Sequence, residues 1–360
     1  MLGRSRIRLA RFAAVATAVG TPLLLAGCTP PPPHCSGVAM THGQSDVDNH
    51  GSGTTFCLSG THNWSLVPKN GDRFLGPATL NGGNATKFAF SGSAQNVTIW
   101  DLSIQHYASG DQLGAINPDS NTSGWTMLGL DVGYNSNSGI DPPSNSVIRG
   151  GRLHDNGQEG ASAGGGSHNI TVDGVEIDHN NTRHIDCGYE AGGFKWVANN
   201  VTVKNSSIHD NLCKGLWSDI NSSNGVIQNN RIYDNSDEGV FVEISNHFVV
   251  SGNMIYGNGL RNYNGCGWVW GGGITAAASS YVDVYGNNVS GNCNGITGVQ
   301  QDRPDGNPGL LEFFNVHDNT ISGHGVSGAA ADNGANLSTR HIDYTRDKFL
   351  NGQTFCGTNC

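Results

Sequence analysis

Charged and aromatic side chains recur at matched positions in successive short segments of the chain. Lys195, Trp217 and Phe241 each lie two residues after a glycine, and Asp219 and Glu243 each lie four residues after one. The residue directly after the glycine is always apolar and should point inward in a strand, so the second and fourth residues should point outward. The aligned segments are 193–197 (GFKWV), 215–219 (GLWSD), 239–243 (GVFVE), 273–277 (GITAA) and 295–299 (GITGV).

Parallel stacking of these strands would place Asp219 and Glu243 about 4.8 Å apart between backbones. Two carboxylates at that spacing repel each other unless a cation joins them. Three chemistries fit the pair. They could act as nucleophile and acid–base in a retaining glycosidase, or bind Ca²⁺ to neutralise a uronate for β-elimination. Alternatively one acid acts alone, with Lys195 as the proton acceptor. Glu190, which lies shortly before Lys195, is a candidate third acid.

Outward polar residues are ordinary on a strand face, and one carboxylate there would carry no functional meaning. Two in register beside Lys195, with exposed aromatic rings next to them, favour a functional interpretation. Residues in excess of the repeat fall at 181–192, 259–271 and 301–310, and we expect them to form the walls of a groove. The residues expected to contact a sugar chain are Trp217, Phe241, Trp268, Trp270, Gln300 and Arg303.

A column of asparagines predicts the fold that positions these residues. Its members recur mostly at intervals in the low twenties, and each follows an aliphatic residue by three positions. This period, without helical periodicity, predicts an all-β, single-stranded right-handed parallel β-helix of about 9–11 coils. We expect the column to be structural, with amides hydrogen-bonded from coil to coil. The members are Asn135, Asn156, Asn180, Asn211, Asn235, Asn258 and Asn292, with His324 in the last position.

The N-terminus predicts export. Residues 1–27 have the pattern of a lipoprotein signal peptide, and residues 28–35 would form a lipidated Cys28 followed by a proline-rich tether. An ordinary secretory signal is the alternative. Residues 36–360 would form one domain, with N-terminal capping coils over 36–95, repeats over 96–331 and a C-terminal cap that folds back over 332–360. The expected location is the outer side of a bacterial membrane, with the lipid as the only membrane contact.

The cysteines predict a disulfide framework, because eight remain when Cys28 is set aside and an exported protein permits oxidation. The rungs suggest which cysteines pair, and the chain has no Cys-x-x-Cys pair to favour a metal site. The expected bonds are Cys35–Cys57, Cys187–Cys213, Cys266–Cys293 and Cys356–Cys360.

The charge of the chain argues against a nucleic-acid partner. There are 19 Lys and Arg against 29 Asp and Glu, and four of the arginines lie in the signal segment. Nucleic-acid binding depends on basic residues that contact phosphates. We expect a monomer whose partner is a polysaccharide.

Segments 190–196, 215–220 and 239–245 resemble those of a group of bacterial right-handed parallel β-helix repeat proteins in the pectate-lyase-like superfamily. The resemblance covers residues 96–330. It implies a substrate that lies along a strand face, since the superfamily includes polysaccharide lyases, galacturonan hydrolases and alginate epimerases. The aligned strands carry no arginine, which departs from pectate lyases that use arginine as the base.

These observations together predict a lipid-anchored, extracytoplasmic carbohydrate-active enzyme that cleaves a polysaccharide by β-elimination or hydrolysis. Lys195, Asp219, Glu243 and Glu190 would be catalytic. The alternatives are a non-catalytic glycan-binding or adhesive surface protein and a structural component of the envelope.

Overall fold

The computed structural model describes residues 34–260, 266, 268–301, 309–331, 337–358 and 360. The signal peptide, Cys28 and most of the proline-rich tether lie outside these residues, as does Arg303. Within the described residues no helix is long or apolar enough to cross a membrane.

Short strands separated by tight turns form the described chain. In chain order the elements are β1 Val38–Ala39, α1 Gln44–Asn49, β2 Thr55–Cys57, β3 Thr61–His62, β4 Arg73–Asn81, β5 Phe90–Gly92, β6 Thr98–Gln105, β7 Gly114–Pro118, β8 Thr126–Gly133, β9 Ser138–Ile140, β10 Val147–His154, β11 Glu159–Ala163, β12 His168–Asp173, β13 Glu176–Asp178, β14 Gly192–Trp196, β15 Asn199–Lys204 and β16 Ser207–His209. They continue with β17 Lys214–Ser218, β18 Ser223–Gln228, β19 Arg231–Tyr233, β20 Val240–Glu243, β21 Asn246–Ser251, β22 Met254–Tyr256, β23 Gly272–Ala277, β24 Ser280–Tyr285, β25 Asn288–Ser290, β26 Asn294–Gln300, β27 Glu312–His317, β28 Thr320–Ser322, β29 Val326–Ala331, β30 Ile342–Thr345, β31 Lys348–Leu350 and β32 Thr354–Gly357.

Three strands make one coil through most of the molecule. Strands β15, β16 and β17 form one coil, and each pairs in parallel with its counterpart β18, β19 or β20 on the next. One face of the coils is an eleven-stranded sheet in the order β32-β29-β26-β23-β20-β17-β14-β11-β9-β7-β5. The predicted parallel β-helix is therefore confirmed, and the eleven strands agree with the predicted 9–11 coils.

The aliphatic column fills the interior of the helix. Ile177, Ile208, Ile232, Ile255 and Val289 lie directly above one another in register, and all are buried. Burial of each such side chain contributes about 1.5–3 kcal/mol. The repeat in the sequence therefore corresponds to one continuous core along the axis.

The predicted asparagine column is a hydrogen-bonded ladder at one corner of the coil. From Asn135 to Asn258, each side-chain amide donates to the side-chain oxygen of the next asparagine at 2.9–3.0 Å, and the ladder ends at Asn292. The same amides bond backbone carbonyls of the preceding coil, such as Ile177 O from Asn211. Inclusion of His324 in the column was wrong, because its side chain is exposed.

A second ladder, which was not predicted from the sequence, occupies another corner. Its members bond in the same way, with amide-to-oxygen distances of 2.9–3.1 Å. Each lies two residues before an aliphatic or aromatic core residue, and this spacing is visible in the sequence. The members are Asn230, Asn253, Asn287, Asn319 and Asp347.

The C-terminal tail continues the stack. Strands β30 and β31 pair in parallel with β27 and β28, and β32 pairs with β29. The expectation that residues 332–360 fold back over the end was therefore wrong among the described residues. The tail keeps the strand register with Asp347 in place of an asparagine at the second ladder.

All four predicted disulfides are present: Cys35–Cys57, Cys187–Cys213, Cys266–Cys293 and Cys356–Cys360. The second and third each bond an inserted loop to the following coil. Two of the three insertions, 181–192 and 259–271, are therefore covalently attached to the following coil.

The first ladder makes a testable contribution to stability. Asn211 bonds Ile177 O, His209 O and Asn235, and it accepts from Asn180. We expect Asn211→Ala to lower the free energy of unfolding by about 2–3 kcal/mol, because it leaves buried polar groups without partners. Chemical denaturation measures this, with the exposed strand residue Asn288→Ala as control. Equal losses in the two variants would contradict a structural role for the ladder.

Candidate functional site

The predicted register of the outward residues is observed. Lys195 pairs with Trp217, which pairs with Phe241, on strands β14, β17 and β20. The residues before them, such as Phe194 and Leu216, are buried in the interior core. The file also extends toward the N-terminus, because Lys195 pairs with Ser162 on β11.

The Lys195 ammonium is the centre of a buried ion cluster. Its Nζ lies 2.8 Å from Glu190 Oε1 and 2.9 Å from Asp219 Oδ2, and it donates to Tyr189 O at 3.2 Å. It also lies 3.7 Å from the centre of the Trp217 ring, a cation–π contact. Only 4% of Lys195 is exposed. The structure thus brings together three of the residues predicted to be catalytic.

Asp219 and Glu243 occupy equivalent positions on neighbouring coils but have different partners. They follow Ser218 and Val242, which pair in register. Asp219 contacts the Lys195 ammonium, whereas Glu243 Oε2 accepts a hydrogen bond from Trp217 Nε1 at 2.9 Å. The predicted Ca²⁺ site does not fit these residues, because an ammonium already occupies the cation position beside Asp219.

The backbone after both carboxylates is in the left-handed region. Ile220 has φ 37° and Ile244 has φ 44°. This conformation is strongly unfavourable for a β-branched residue and persists only where the surrounding structure imposes it. The same turn therefore fixes the direction of Asp219 and Glu243 on two successive coils.

The expectation that Trp217 and Phe241 face solvent was wrong. They are 3% and 5% exposed, because Val269 and Trp270 of the 259–271 loop lie over them in a second apolar cluster outside the main core. The Trp270 ring meets the Phe241 ring edge-on at 6.2 Å. Sequence periodicity gave the direction of the side chains but not the position of the loop that covers them. Their predicted stacking on sugar rings remains a prediction.

A second buried ion cluster connects two inserted loops to the sheet. Lys214 Nζ lies 2.7 Å from Asp237 and donates to Cys187 O at 2.9 Å. Glu238 Oε1 accepts from Gly271 N at 2.9 Å. Burial opposes the charged form of Lys214, but the Glu238 and Asp237 carboxylates outweigh it and raise the Lys214 pKa. Burial and the neighbouring Asp237 raise the pKa of Glu238.

The other residues predicted to bind substrate lie elsewhere or already have partners. The Gln300 amide donates to Gln301 O and Gly309 O and accepts from Leu311 N, so it supports the 301–311 connection. Trp268 is 40% exposed, but it lines a separate cavity of about 540 Å³ on C-terminal coils. Sugar contacts by Gln300 and Trp268 remain predictions.

An open cleft of about 490 Å³ lies on the N-terminal part of the same face. This volume is within the range of small-ligand sites. Lys195 and Glu190 line it together with outward residues of the preceding coils, Ser162, Asp141 and Asn117. Its polar and charged lining consists of Gln112, Asn117, Asp119, Ser120, Asp141, Ser162, Ser167, Glu190 and Lys195.

Two carboxyl groups near the cleft have strongly raised pKa values. Burial raises the pKa of Asp141 to about 8, although the Gly114 N–H donates to its Oδ2 at 2.9 Å; its Oδ1 has no hydrogen-bond partner. Burial, followed by repulsion from Glu190, raises the pKa of Glu159 to about 8. The raised pKa values favour the protonated forms of both carboxyl groups at neutral pH, and Glu190, which repels the Glu159 carboxylate, is ion-paired with Lys195.

Asp141 was not predicted as a site residue, although its signal is present in the sequence. Asp141 lies two residues after Gly139, and Ser162 lies two residues after Gly160, as Lys195 does after Gly193. The alignment therefore extends two coils further toward the N-terminus. Trp217 and Phe241 lie on the covered part of the strand face, whereas Asp141 lies on the open part.

One further group of possible metal ligands lies on another face of the helix. Glu176, Asp178 and His209 offer ligand atoms within 4.8 Å of one another. However, the Arg152 guanidinium binds Asp178 at 2.7 Å. A cation is thus already present, and we assign no metal there.

Comparison with known proteins supports the fold. The chain matches the family described as right handed beta helix region over residues 116–273 and 222–348, which together span more than half of it. No curated protein sequence matches it significantly.

Similar solved structures include a mannuronan epimerase, an alginate epimerase and a protein bound to xylose. The A-module of the Azotobacter vinelandii mannuronan C-5 epimerase AlgE4 is 16% identical, with a TM-score of 0.56 over 88% of this chain and 92% of that one. The periplasmic alginate epimerase AlgG is 13% identical, with a TM-score of 0.55 over 82% and 75%. The complex of XylC with xylose gives 15% identity and a TM-score of 0.50 over 73% and 54%. At these identities the likeness shows the fold alone.

The Lys195 cluster predicts that two lysines contribute very different amounts to the free energy of unfolding. We expect Lys195→Met to lower the free energy of unfolding by about 3–5 kcal/mol, because it leaves the Glu190 and Asp219 carboxylates without their buried cation. Lys204→Met is the control, since that ammonium is 3.9 Å from Asp173 and its side chain is 39% exposed. The expected loss of unfolding free energy in this control is below about 1 kcal/mol. Chemical denaturation of both variants measures the difference.

A Lys195→Met chain as stable as the control would show that the cluster does not hold the loop to the sheet.

Proposed function

The chain belongs to the right-handed β-helix family, and we propose that it is an extracytoplasmic carbohydrate-active enzyme that hydrolyses a polysaccharide bound in the 490 Å³ cleft. The disulfides support a location outside the cytoplasm. The sugar-related proteins that share the fold support a glycan ligand. Attachment to the membrane through Cys28 is part of the proposal.

One observation carries the choice of hydrolysis: the cleft is lined by a carboxyl group with a raised pKa and by an ion-paired carboxylate. Burial raises the pKa of Asp141 to about 8, which favours the protonated form at neutral pH. Glu190 lies 2.8 Å from the Lys195 ammonium. Glycoside hydrolysis requires a carboxylic acid and a carboxylate on either side of the scissile bond.

In the proposed reaction Asp141 gives its proton to the glycosidic oxygen as the bond from that oxygen to the anomeric carbon breaks. A water molecule forms the new bond to the anomeric carbon, and Glu190 takes the proton that the water releases. The products are two shorter sugar chains. One has gained the Asp141 proton and the other the water hydroxyl.

Lys195, Asp219 and Glu243 act as positioning residues in this scheme. Lys195 holds Glu190 on the wall of the cleft, and Asp219 holds Lys195 from the next coil. Glu243 holds the Trp217 indole, over which the ammonium lies. Neither Asp219 nor Glu243 lines the cleft in the described chain.

A panel of polysaccharides tests the proposal. We expect new reducing ends without the ultraviolet absorbance of an unsaturated product, and a kcat about 10²–10⁴-fold lower in Asp141→Asn and Glu190→Gln, because each loses a proton-transfer group. Asp343→Asn is the matched control, since Asp343 is exposed on the last coil. Unsaturated products would identify a lyase. Glycan binding without any product would identify a binding protein.

The alkaline side of the pH profile tests Asp141 directly. We expect kcat to fall as pH rises through about 8, where the Asp141 carboxyl group loses its proton. Activity that stays constant from pH 7 to pH 10 would exclude Asp141 as the acid.

Stability should change with pH for the same reason. A carboxyl group whose pKa is raised on folding contributes stability that is complete below its unfolded pKa and is lost as pH rises through its folded value, here about 8. We therefore expect Asp141→Asn to reduce the fall in unfolding free energy between pH 6 and pH 9, as chemical denaturation at the two pH values would measure. The variant should still lose some unfolding free energy between these pH values, because the pKa values of Glu159 and Glu238 are also raised. An unchanged fall in the variant would show that Asp141 is ionised throughout.

A further inference from the structure

The cleft has little capacity to bind an anionic sugar. Among its described lining residues Lys195 is the single cation, against the carboxyl groups of Asp119, Asp141 and Glu190. With Asp141 protonated, the ionised lining groups are two carboxylates and one ammonium. Asp219 lies 2.9 Å from that ammonium and adds a further carboxylate.

The Lys195 ammonium already has three close oxygen partners. A lysine ammonium offers three N–H groups. Its Nζ bonds Tyr189 O and lies within 2.9 Å of both Glu190 Oε1 and Asp219 Oδ2. The Trp217 ring covers it at 3.7 Å. A sugar carboxylate would have to displace one of the two buried carboxylates to reach the charge.

Two other cations, Arg183 on an inserted loop and Lys214 on β17, are also paired. Arg183 NH1 bonds Asp111 at 2.7 Å and also contacts Asn137. Lys214 is buried against Asp237 and the Cys187 carbonyl. Neither the Arg183 guanidinium nor the Lys214 ammonium lines the cleft in the described chain.

From this arrangement we infer that the cleft takes a glycan without carboxylates and prefers one whose sugars carry free amino groups. The inference rests on the proposed function, whose substrate class it narrows. A sugar ammonium would meet the carboxylates that line the cleft, Asp119, which is exposed, and Glu190. A uronate at the same position would face these two charges without a compensating donor, and like-charge contacts are costly.

Three oligosaccharides of equal length test the inference: a glucosamine oligomer, its neutral N-acetylated counterpart and a uronate oligomer. Their affinities for the full chain are measured by calorimetric titration at low temperature and mildly acid pH. We expect the order amino, neutral, uronate, with steps of about tenfold at low salt. Added salt should weaken the amino oligomer and leave the neutral one unchanged.

Asp119→Asn should reduce the preference for the amino oligomer over the neutral one, because it removes a cleft carboxylate without touching the Lys195 cluster. Asp343→Asn should leave both affinities unchanged, since Asp343 lies on the last coil.

A uronate oligomer that binds as tightly as the neutral oligomer overturns the inference. If the uronate oligomer is also cut to give saturated reducing ends, the proposed hydrolase function stands and only the inference about the substrate class fails. If none of the three oligomers binds, the inference fails, and the polysaccharide panel decides the proposed function separately.

Discussion

The contact between the Lys195 ammonium and two carboxylates connects the parts of this molecule that form the cleft. Lys195 extends from the eleven-stranded sheet, Glu190 belongs to the inserted loop, and Asp219 belongs to the next coil. Burying this ammonium is tolerable because it has two carboxylate partners and one carbonyl partner. The Cys187–Cys213 bond fastens the same loop to the helix three residues before Glu190. The wall of the cleft therefore depends on one covalent and one electrostatic attachment.

The inserted loops decide which part of a uniform strand face can meet a ligand. The outward file runs without a break from Asp141 through Lys195 to Phe241. Val269 and Trp270 cover its C-terminal part, where Trp217 and Phe241 are packed as in a core. The N-terminal part is open and polar. A solenoid has many equivalent outward positions on its strands. Only those that the loops leave accessible can contact a ligand.

The fold was predictable because each coil repeats the same constraints. The aliphatic column and the asparagine ladder recur at the coil period, so the spacing of these residues specifies the parallel register. The pairing of Cys187 with Cys213 follows from that register. The burial of Trp217 could not be predicted in this way, because it depends on where a loop without periodicity lies. The position of the cleft has the same origin. Asp141 could have been found by extending the alignment by two coils, but its raised pKa depends on burial that the repeat does not encode.

The most direct measurement is a crystal structure of the Asp141→Asn chain with an oligosaccharide bound. We expect sugar rings along Asn117 and Ser162, with a glycosidic oxygen next to position 141 and Glu190 on the opposite side. Lys195 should keep both carboxylate partners, and Trp270 should still cover Phe241. A glycan that lies on Trp217 and Phe241, with the 259–271 loop displaced, would contradict the location of the site.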